Sequence, residues 1–320
     1  MSTGPAPEDL ARVAALGERV TANLAAAVHA PRETLRLPLV ALVAEGHVLV
    51  EDVPGVGKTV LAKALARSVE LSFLRLQFTP DLLPGDVTGV NVFDQAAGAF
   101  RFRPGPVFAN VLLVDEVNRA SPKTQSALLE AMQETQVTVD GTTHPLDRPF
   151  LVIATQNPVE YEGTFPLPEA QLDRFAVRMS IGYPPADEEA RMLAEQVSEP
   201  PLDQLVPVAA HRDVLDAIAT ARAVFVEGSV HRHVVDLLRR TREDERLALG
   251  ASPRAGIALL RLAKARAALE GRPFVVPDDV RLLAVPALAH RLIPAPEALA
   301  GGLTGEAAVR DALAATSVPL

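Results

Sequence analysis

A glycine-rich turn between a short apolar segment and an amphipathic one constrains this chain more than any other feature of its sequence. Val48 to Glu51 have strand-like character, and the turn that follows them ends in Gly57-Lys58-Thr59. Beyond the turn, apolar residues recur with a helical period, which predicts a helix that packs one face on a sheet. The first N–H groups of such a helix lack internal partners and carry partial positive charge, so this order of elements predicts an anion site.

The residues that close the turn indicate a polyphosphate as the anion. In a loop of this kind Lys58 neutralises the β- and γ-phosphates, and the Thr59 hydroxyl is a hard ligand for Mg²⁺. The predicted binding residues are Pro54, Gly55, Val56, Gly57, Lys58, Thr59 and Val60. The alternative interpretation is a glycine-bearing turn before a core helix. Asp52 stands where the generic pattern has glycine, and we predict that its carboxylate turns away from the phosphates.

A continuous apolar run, Val111 to Val114, is typical of a central strand buried on both faces of a parallel sheet. Asp115 and Glu116 follow it directly, so they are expected at the carboxyl edge of the sheet, where open α/β folds bind ligands. Asp115 is the predicted Mg²⁺ ligand, acting through water, and Glu116 is predicted to polarise the water that attacks the γ-phosphate. Two solvated acids after a core strand are the alternative.

A second buried strand, Phe150 to Ala154, ends in Thr155-Gln156-Asn157-Pro158. This order places Asn157 at the same edge of the sheet as Glu116. A carboxamide at that edge can hydrogen-bond both the γ-phosphate and the attacking water. An ordinary Asn-Pro turn is the alternative.

Two hairpins are predicted outside the alternation of strands and helices. Within Asp86 to Pro106, the apolar pair Val92-Phe93 and the alternating run Phe100-Arg101-Phe102-Arg103 flank a short loop. We interpret this interval as a hairpin inserted where an α/β unit would continue its helix, with a plain surface hairpin as the alternative. Asp140-Gly141 is a strong two-residue turn signal and predicts the second hairpin.

The chain beyond Pro184 shows no further strand signal and is interpreted as a separate all-α domain. Helical patterns are predicted in five segments: Asp187 to Val197, His211 to Val224, Val230 to Glu243, Pro253 to Glu270 and Pro277 to Val285. Ser252 can cap the fourth of these helices and Pro253 can occupy its first turn, which fixes Arg254 at a helix start. A surface arginine is the alternative for Arg254.

Composition excludes several classes of protein. The chain has no cysteine, so it holds neither disulfides nor a thiolate metal site. No apolar run is long enough to span a membrane and no signal pattern is present, which makes the cytoplasm the expected location. The 40 acidic residues against 31 basic ones give a net charge of −9, which argues against a general nucleic-acid surface.

The motifs together resemble those of the AAA+ ATPases, and their residue sequences are most similar to those of the MoxR family. The resemblance covers most of residues 35 to 290 and rests on five segments. They are Val53-Pro54-Gly55-Val56-Gly57-Lys58-Thr59, Leu76-Gln77-Phe78-Thr79-Pro80-Asp81, Val114-Asp115-Glu116-Val117-Asn118-Arg119-Ala120, Ala154-Thr155-Gln156-Asn157-Pro158 and Leu167-Pro168-Glu169-Ala170-Gln171-Leu172-Asp173-Arg174-Phe175.

The resemblance implies an α/β fold, namely an AAA+ P-loop αβα sandwich with a parallel sheet, followed by an all-α lid domain. The expected divisions are an N-terminal tail and helix at 1–30, an ATPase core at 31–185 with a helix-2 insert at about 86–106, and the lid at 186–320. ATP is the implied nucleotide and Mg²⁺ its ion. Asn157 would be sensor 1, and Arg254 would be sensor 2, contacting the γ-phosphate from the lid.

Arg174 is the residue through which the resemblance implies assembly. In AAA+ rings the corresponding arginine reaches the nucleotide of the neighbouring subunit and stabilises transition-state charge. The expected working unit is therefore a homo-oligomeric ring, a hexamer. A surface ion pair between Arg174 and Asp173 is the alternative.

The implied function is ATP hydrolysis that drives ring motion and remodels or matures another protein. MoxR-type ATPases are thought to act in this way on partners that carry a von Willebrand factor A domain. Two other classes stay open, a nucleotide-gated binding switch with little hydrolysis and a nucleic-acid motor. Intact Glu116, Asn157 and Arg174 argue against the switch, and the acidic composition makes nucleic acid the weaker alternative.

Overall fold

The computed structural model describes residues 4–157, 164–183 and 201–318, together with residues 186 and 189. Pro158 and nearly all of the helix expected from Asp187 to Val197 lie outside the described residues. Within them, the predicted α/β fold with a parallel sheet and helices on both faces is confirmed.

Five parallel strands form the central sheet. From one edge to the other they are β2 (Phe73–Gln77), β5 (Val111–Asp115), β8 (Leu151–Gln156), β1 (Val48–Glu51) and β9 (Val177–Met179). The register pairs Val48 with Ile153 and Gln77 with Asp115. β9 is not predicted from the sequence, because three residues are too few to show a period-two pattern.

Six helices that precede residue 173 belong to the same part of the fold as this sheet. They are α1 (Pro7–Ala27), α2 (Arg32–Val43), α3 (Lys58–Ser68), α4 (Pro84–Thr88), α5 (Pro122–Glu134) and α6 (Glu169–Leu172). The hydroxyl of Ser121 accepts a hydrogen bond from the N–H of Thr124 and so caps α5 as a helix start. Short 3₁₀ turns cover Pro106–Phe108, Val117–Arg119 and Ala289–Arg291.

Each face of the sheet has its own hydrophobic core, because alternate strand residues point to opposite sides. One core contains Val48 and Leu113 and includes buried residues of α1, α2 and α3. The other contains Leu49 and Leu112 and includes Leu128 of α5. The central strands β5 and β8 are therefore buried on both sides, as their apolar sequences predict.

The two predicted hairpins are confirmed. One joins β3 (Gly89–Asp94) to β4 (Ala99–Pro104), and the other joins β6 (Gln136–Val139) to β7 (Thr142–Pro145). They touch each other, since Phe102 stacks on His144 with ring centroids 3.9 Å apart.

The C-terminal segment is mainly helical, but it also contains a short ribbon. Its helices are α7 (Pro201–Gln204), α8 (His211–Ala223), α9 (Gly228–Glu243), α10 (Pro253–Leu269), α11 (Pro277–Leu288), α12 (Pro296–Ala300) and α13 (Gly305–Ala315). The predicted helical domain is confirmed, and it also contains a ribbon that was not predicted, in which β10 (Leu247–Leu249) pairs antiparallel with β11 (Ile293–Pro294). These strands are too short to leave a pattern in the sequence. Among the described residues, no helix is both long and apolar enough to cross a bilayer.

Candidate nucleotide-binding site

The phosphate-binding turn predicted from the sequence joins the carboxyl end of β1 to the amino end of α3. Gly55 and Gly57 have φ angles of 89° and 91°, a left-handed backbone that glycine adopts without strain. α3 begins at Lys58, so a helix N-terminus, which favours a bound anion, stands at the end of the turn. The Lys58 ammonium donates to the backbone carbonyl of Asp52 over 2.7 Å.

A cavity of about 220 Å³ lies beside this turn. It brings the turn together with the two acids that follow β5 and with Asn157 after β8. Its lining residues are Pro54, Gly55, Gly57, Lys58, Thr59, Val60, Arg75, Gln77, Asp115, Glu116, Thr155 and Asn157. Val56 does not line it, because its side chain packs against the core.

The Asp52 carboxylate turns away from the cavity, as predicted. Its Oδ2 accepts hydrogen bonds from the N–H groups of Ile181 and Gly182, at 2.7 and 2.8 Å, and from the Ser180 hydroxyl at 2.9 Å. Oδ1 accepts from the N–H of Val53 at 2.9 Å. Asp52 therefore ties the start of the turn to the segment after β9, which explains an acid at a position where glycine is usual.

Thr155 connects the two acids at the end of β5. Its hydroxyl donates to Oδ1 of Asp115 over 3.3 Å and accepts from the N–H of Glu116 over 3.0 Å. Glu116 has a φ of 55°, a left-handed conformation that is unusual for a side chain of this size. Because the backbone turns sharply at Glu116, the side chains of Asp115 and Glu116 point in different directions. The hydrogen bonds of Thr155, on the neighbouring strand, stabilise this turn.

Two side chains of β2 contact the same acids, and neither of them has a role predicted from the sequence. Arg75 Nε donates to Oδ2 of Asp115 over 2.6 Å, and Gln77 Nε2 donates to Oε2 of Glu116 over 2.7 Å. Both lie on one face of β2 because they are two residues apart. Polar residues at period two in a strand beside β5 are the only signal that could have found them.

Arg174 and Arg254 do not line the cavity beside the turn. They line a second cavity of about 520 Å³, together with Asp173 and Arg291. Arg254 lies outside that cavity in this structure, and its contact with the γ-phosphate from the lid stays a prediction. The helix start predicted for Arg254 is present, but the packing of α10 brings it to Asp173 and Arg174.

The two cavities belong to opposite edges of the sheet. The N–H groups of Ala176 and Val177 donate to the carbonyl of His47, so Arg174 lies near the amino ends of β9 and β1. The phosphate-binding turn follows the carboxyl end of β1. A strand rises about 3.3 Å per residue, so the ends of this four-residue strand are roughly 10 Å apart.

Asp173 makes its ion pairs with arginines other than Arg174. Its Oδ1 lies 3.0 Å from Arg291 Nε, and its Oδ2 lies 3.9 Å from Arg254 Nε. Within the part of the chain that the structure describes, the Arg174 guanidinium makes no hydrogen bond or ion pair. The alternative of an Arg174–Asp173 surface pair is thus not what the structure contains.

The second cavity is strongly basic. Four further cations line it beside the three arginines already named: Arg148, Arg222, Arg261 and Lys264. Burial lowers the pKa of Arg291 to about 10, an effect that Asp173 opposes and Arg254 increases, so the guanidinium is still charged at neutral pH. Burial also lowers the pKa of Lys264. Glu45 and Asp173 are the lining acids, so positive charge is in excess.

The donor set of the first cavity fits a magnesium nucleotide. Mg²⁺ in nucleotide sites keeps several waters and takes one or two protein oxygens together with phosphate oxygens. Thr59 offers a hydroxyl and Asp115 a carboxylate within one cavity, beside the cation of Lys58. This set of side chains matches that requirement without any further ligand.

Two protein-family models match parts of this chain. Residues 47–177 match the model of the ATPase family associated with various cellular activities (AAA), and residues 239–312 match that of the AAA lid domain. Chaperone MoxR1 of Mycobacterium tuberculosis is 42% identical over 290 residues, which cover 88% of this chain and 76% of that protein. The chain is a member of the MoxR family of AAA+ ATPases. The resemblance drawn from the motifs is therefore confirmed.

Other relatives of this MoxR-family chain match it over nearly its whole length. YeaC of Bacillus subtilis is 50% identical over 289 residues, which cover 90% of each chain. A crystal structure of a Cytophaga hutchinsonii protein classed as an ATPase superposes with a TM-score of 0.91 at 37% identity, covering 98% of each chain. The lid and the sheet thus occur together in a solved relative.

Proposed function

We propose that this MoxR-family chain binds ATP with Mg²⁺ and hydrolyses the γ-phosphate within a homo-oligomeric ring, and that it uses this energy to remodel partner proteins. The observation that supports the proposal most directly is one cavity that holds Lys58, Asp115 and Glu116 beside a helix N-terminus. Phosphoryl transfer to water requires a cation for the phosphates, a carboxylate that holds the metal ion and a general base for the attacking water.

The proposed roles follow from position and charge. Lys58 neutralises the β- and γ-phosphates, and Thr59 and Asp115 hold the ion, Asp115 through water. Glu116 takes the proton of the attacking water, and Asn157 orients that water against the γ-phosphate. An ion held by these two side chains would offset the negative charge that develops on the phosphate oxygens during transfer.

The ring is proposed because the second cavity contains cations that the first one lacks. Arg174 and Arg254 lie at the amino edge of the sheet, whereas Lys58 and Glu116 line the cavity at its carboxyl edge. A neighbouring subunit that presents its carboxyl edge to this amino edge would bring the two guanidinium groups to its own nucleotide. Such a head-to-tail contact closes into a ring, and a hexamer is the size we propose.

The role in remodelling proteins rests on the family. One relative is named Chaperone MoxR1, which supports a chaperone-like or maturation role for this chain. We propose that its partner carries a von Willebrand factor A domain. The divisions at 1–30, 31–185 and 186–320 and the insert at about 86–106 belong to the same proposal.

A mixing experiment tests both hydrolysis and its shared site. Lys58→Ala and Arg174→Ala should each abolish steady-state phosphate release, the first by loss of nucleotide binding and the second with binding intact. Equal mixing should restore activity, because about one quarter of random ring interfaces pair an intact loop with an intact arginine. Absence of phosphate release from the wild-type chain at any concentration would contradict the proposed hydrolysis, and absence of recovery would contradict the shared site.

A further inference from the structure

We propose that Arg75 is the counter-ion of Asp115 in the absence of nucleotide, and that its guanidinium leaves Asp115 when Mg²⁺ binds with the nucleotide. This inference rests on the proposed function, since it concerns the same cavity. Arg75 is then a positioning residue that sets the free Mg²⁺ concentration at which the site is half-saturated.

Asp115 needs a positive charge nearby. It is 7% exposed at the end of a buried strand, where an isolated carboxylate would be costly to desolvate. Its Oδ2 accepts the 2.6 Å hydrogen bond from Arg75 Nε, and its Oδ1 accepts from the Thr155 hydroxyl at 3.3 Å. Thr155 offers no charge, so Arg75 is the group that stabilises the ionised carboxylate.

The location of Arg75 allows it to move away. It lies on β2, the edge strand of the sheet, and its side chain is 53% exposed. Water can therefore solvate the guanidinium after it leaves Asp115, so Arg75 does not become a buried, unpaired charge when another cation replaces it. Thr155 is buried on β8 and has no such freedom. Arg75 is thus the partner that can move away from Asp115.

A guanidinium and a metal ion compete at one carboxylate because both are cations. Thr59 and Asp115 line the cavity that Arg75 also lines. While Arg75 contacts Oδ2, the carboxylate is already neutralised, and its attraction for a second cation is reduced. Loss of the arginine charge should therefore tighten Mg²⁺ binding. Loss of a residue that only binds phosphate would weaken the complex instead.

The test is a Mg²⁺ titration of the binding of a fluorescent, non-hydrolysable ATP analogue by the full chain. In Arg75→Gln, the free Mg²⁺ concentration at half-saturation should fall by about tenfold relative to wild type, because one adjacent positive charge is removed. In EDTA the same variant should bind the analogue more weakly, since the cavity has lost a cation. Arg75→Lys keeps the charge and should stay close to the wild-type midpoint.

Two controls separate this mechanism from a general effect. Arg103→Gln removes an exposed arginine of β4 outside the cavity and should leave the midpoint unchanged. In an Asp115→Asn background, Arg75→Gln should cause no further shift, because the carboxylate that the two cations share is gone. Thermal unfolding of each variant without nucleotide checks that it is folded, and Arg75→Met, which also removes the charge, provides the measurement if Arg75→Gln is not.

The outcomes distinguish this inference from the proposed function. An unchanged or higher Mg²⁺ midpoint in folded Arg75→Gln, with normal binding by wild type, would overturn the role of Arg75 alone. A Mg²⁺ midpoint of Arg75→Lys as low as that of the uncharged Arg75→Gln would also overturn the role of Arg75. A wild-type chain that binds no analogue with or without Mg²⁺ would overturn the proposed function, and the role of Arg75 with it.

Discussion

The side-chain amide of Gln77 donates to Oε2 of Glu116 over 2.7 Å, from a neighbouring strand of the same sheet. Arg119 also approaches this carboxylate, with its Nε 3.3 Å from the same oxygen. The proposed general base is thus held by two donors. Each of them stabilises the ionised carboxylate and restricts where it points.

Removal of the Gln77 amide should change hydrolysis but not binding. We expect Gln77→Ala to raise basal phosphate release, because this hydrogen bond restricts where Glu116 points. The increase should be only about threefold, because a hydrogen bond to a partly exposed carboxylate contributes well under 1.5 kcal/mol. Affinity for a non-hydrolysable ATP analogue should stay the same. Gln95→Ala, in the exposed loop between β3 and β4, is the matched control. Equal turnover in both variants would show that this contact does not restrain Glu116.

Mixing can also determine on which side of an interface each proposed residue acts. Arg254 lines the second cavity, so Arg254→Ala mixed with Lys58→Ala should recover phosphate release. Asn157 lines the same cavity as Lys58, so Asn157→Ala mixed with Lys58→Ala should not recover it. Each single variant should lose about 100-fold or more in turnover. Recovery with Asn157→Ala, or none with Arg254→Ala, would contradict this assignment.

Asp52 should matter more for stability than for chemistry. Its carboxylate is buried and accepts four hydrogen bonds, three of which link the turn to the segment after β9. Asp52→Asn should lower the free energy of unfolding by about 2 kcal/mol, because buried donors lose a charged acceptor. Urea denaturation measures the change, with the exposed Asp147→Asn as control. A loss no greater than that of the control would show that the link contributes little.

A second buried acid stabilises the C-terminal helices. Asp279 is 1% exposed and pairs with Arg272 through two contacts, of 2.6 and 2.8 Å. Asp279→Ala should cost about 3 kcal/mol of unfolding free energy, since it removes one partner of a buried ion pair. The neighbouring Asp278 is exposed, so Asp278→Ala should change stability by less than about 0.5 kcal/mol. Similar losses in the two variants would contradict this view of the pair.

Acid should destabilise the fold through two buried histidines. Burial lowers the pKa of His47 to about 4, and burial together with Arg291 lowers the pKa of His290 to about 3, from an ordinary value of 6.5. Below pH 6.5 the unfolded chain therefore binds protons that the folded chain does not. The unfolding free energy should fall as the pH drops from 6.5 toward 4, by up to about 1.4 kcal/mol per pH unit for each histidine.

Urea denaturation between pH 5 and 7.5 measures this slope. His47→Asn should reduce it, because one of the two groups no longer titrates in the unfolded chain. The exposed His231→Asn is a suitable control and should leave the slope as it is. A wild-type free energy that does not fall with acid would contradict the role of both histidines.

Local sequence was sufficient for most of the fold. The strands β1, β5 and β8 follow from continuous apolar runs, and the two hairpins from alternation and turn residues. The phosphate-binding turn follows from glycines that tolerate positive φ. Each of these signals lies within about ten residues of chain, which is the range over which backbone preferences act. The strands β9, β10 and β11 carry no such signal, because they are too short.

The sequence by itself determined that the acids after β5 and the residue after β8 would meet the turn, because all parallel strands end at the same edge. Only the tertiary structure decided which side chains face them from β2 and to which edge the lid arginine is brought. Arg75 is 40 residues from Asp115, and Arg254 is 81 from Asp173. Such pairs are chosen by strand register and helix packing, and these depend on the whole chain at once.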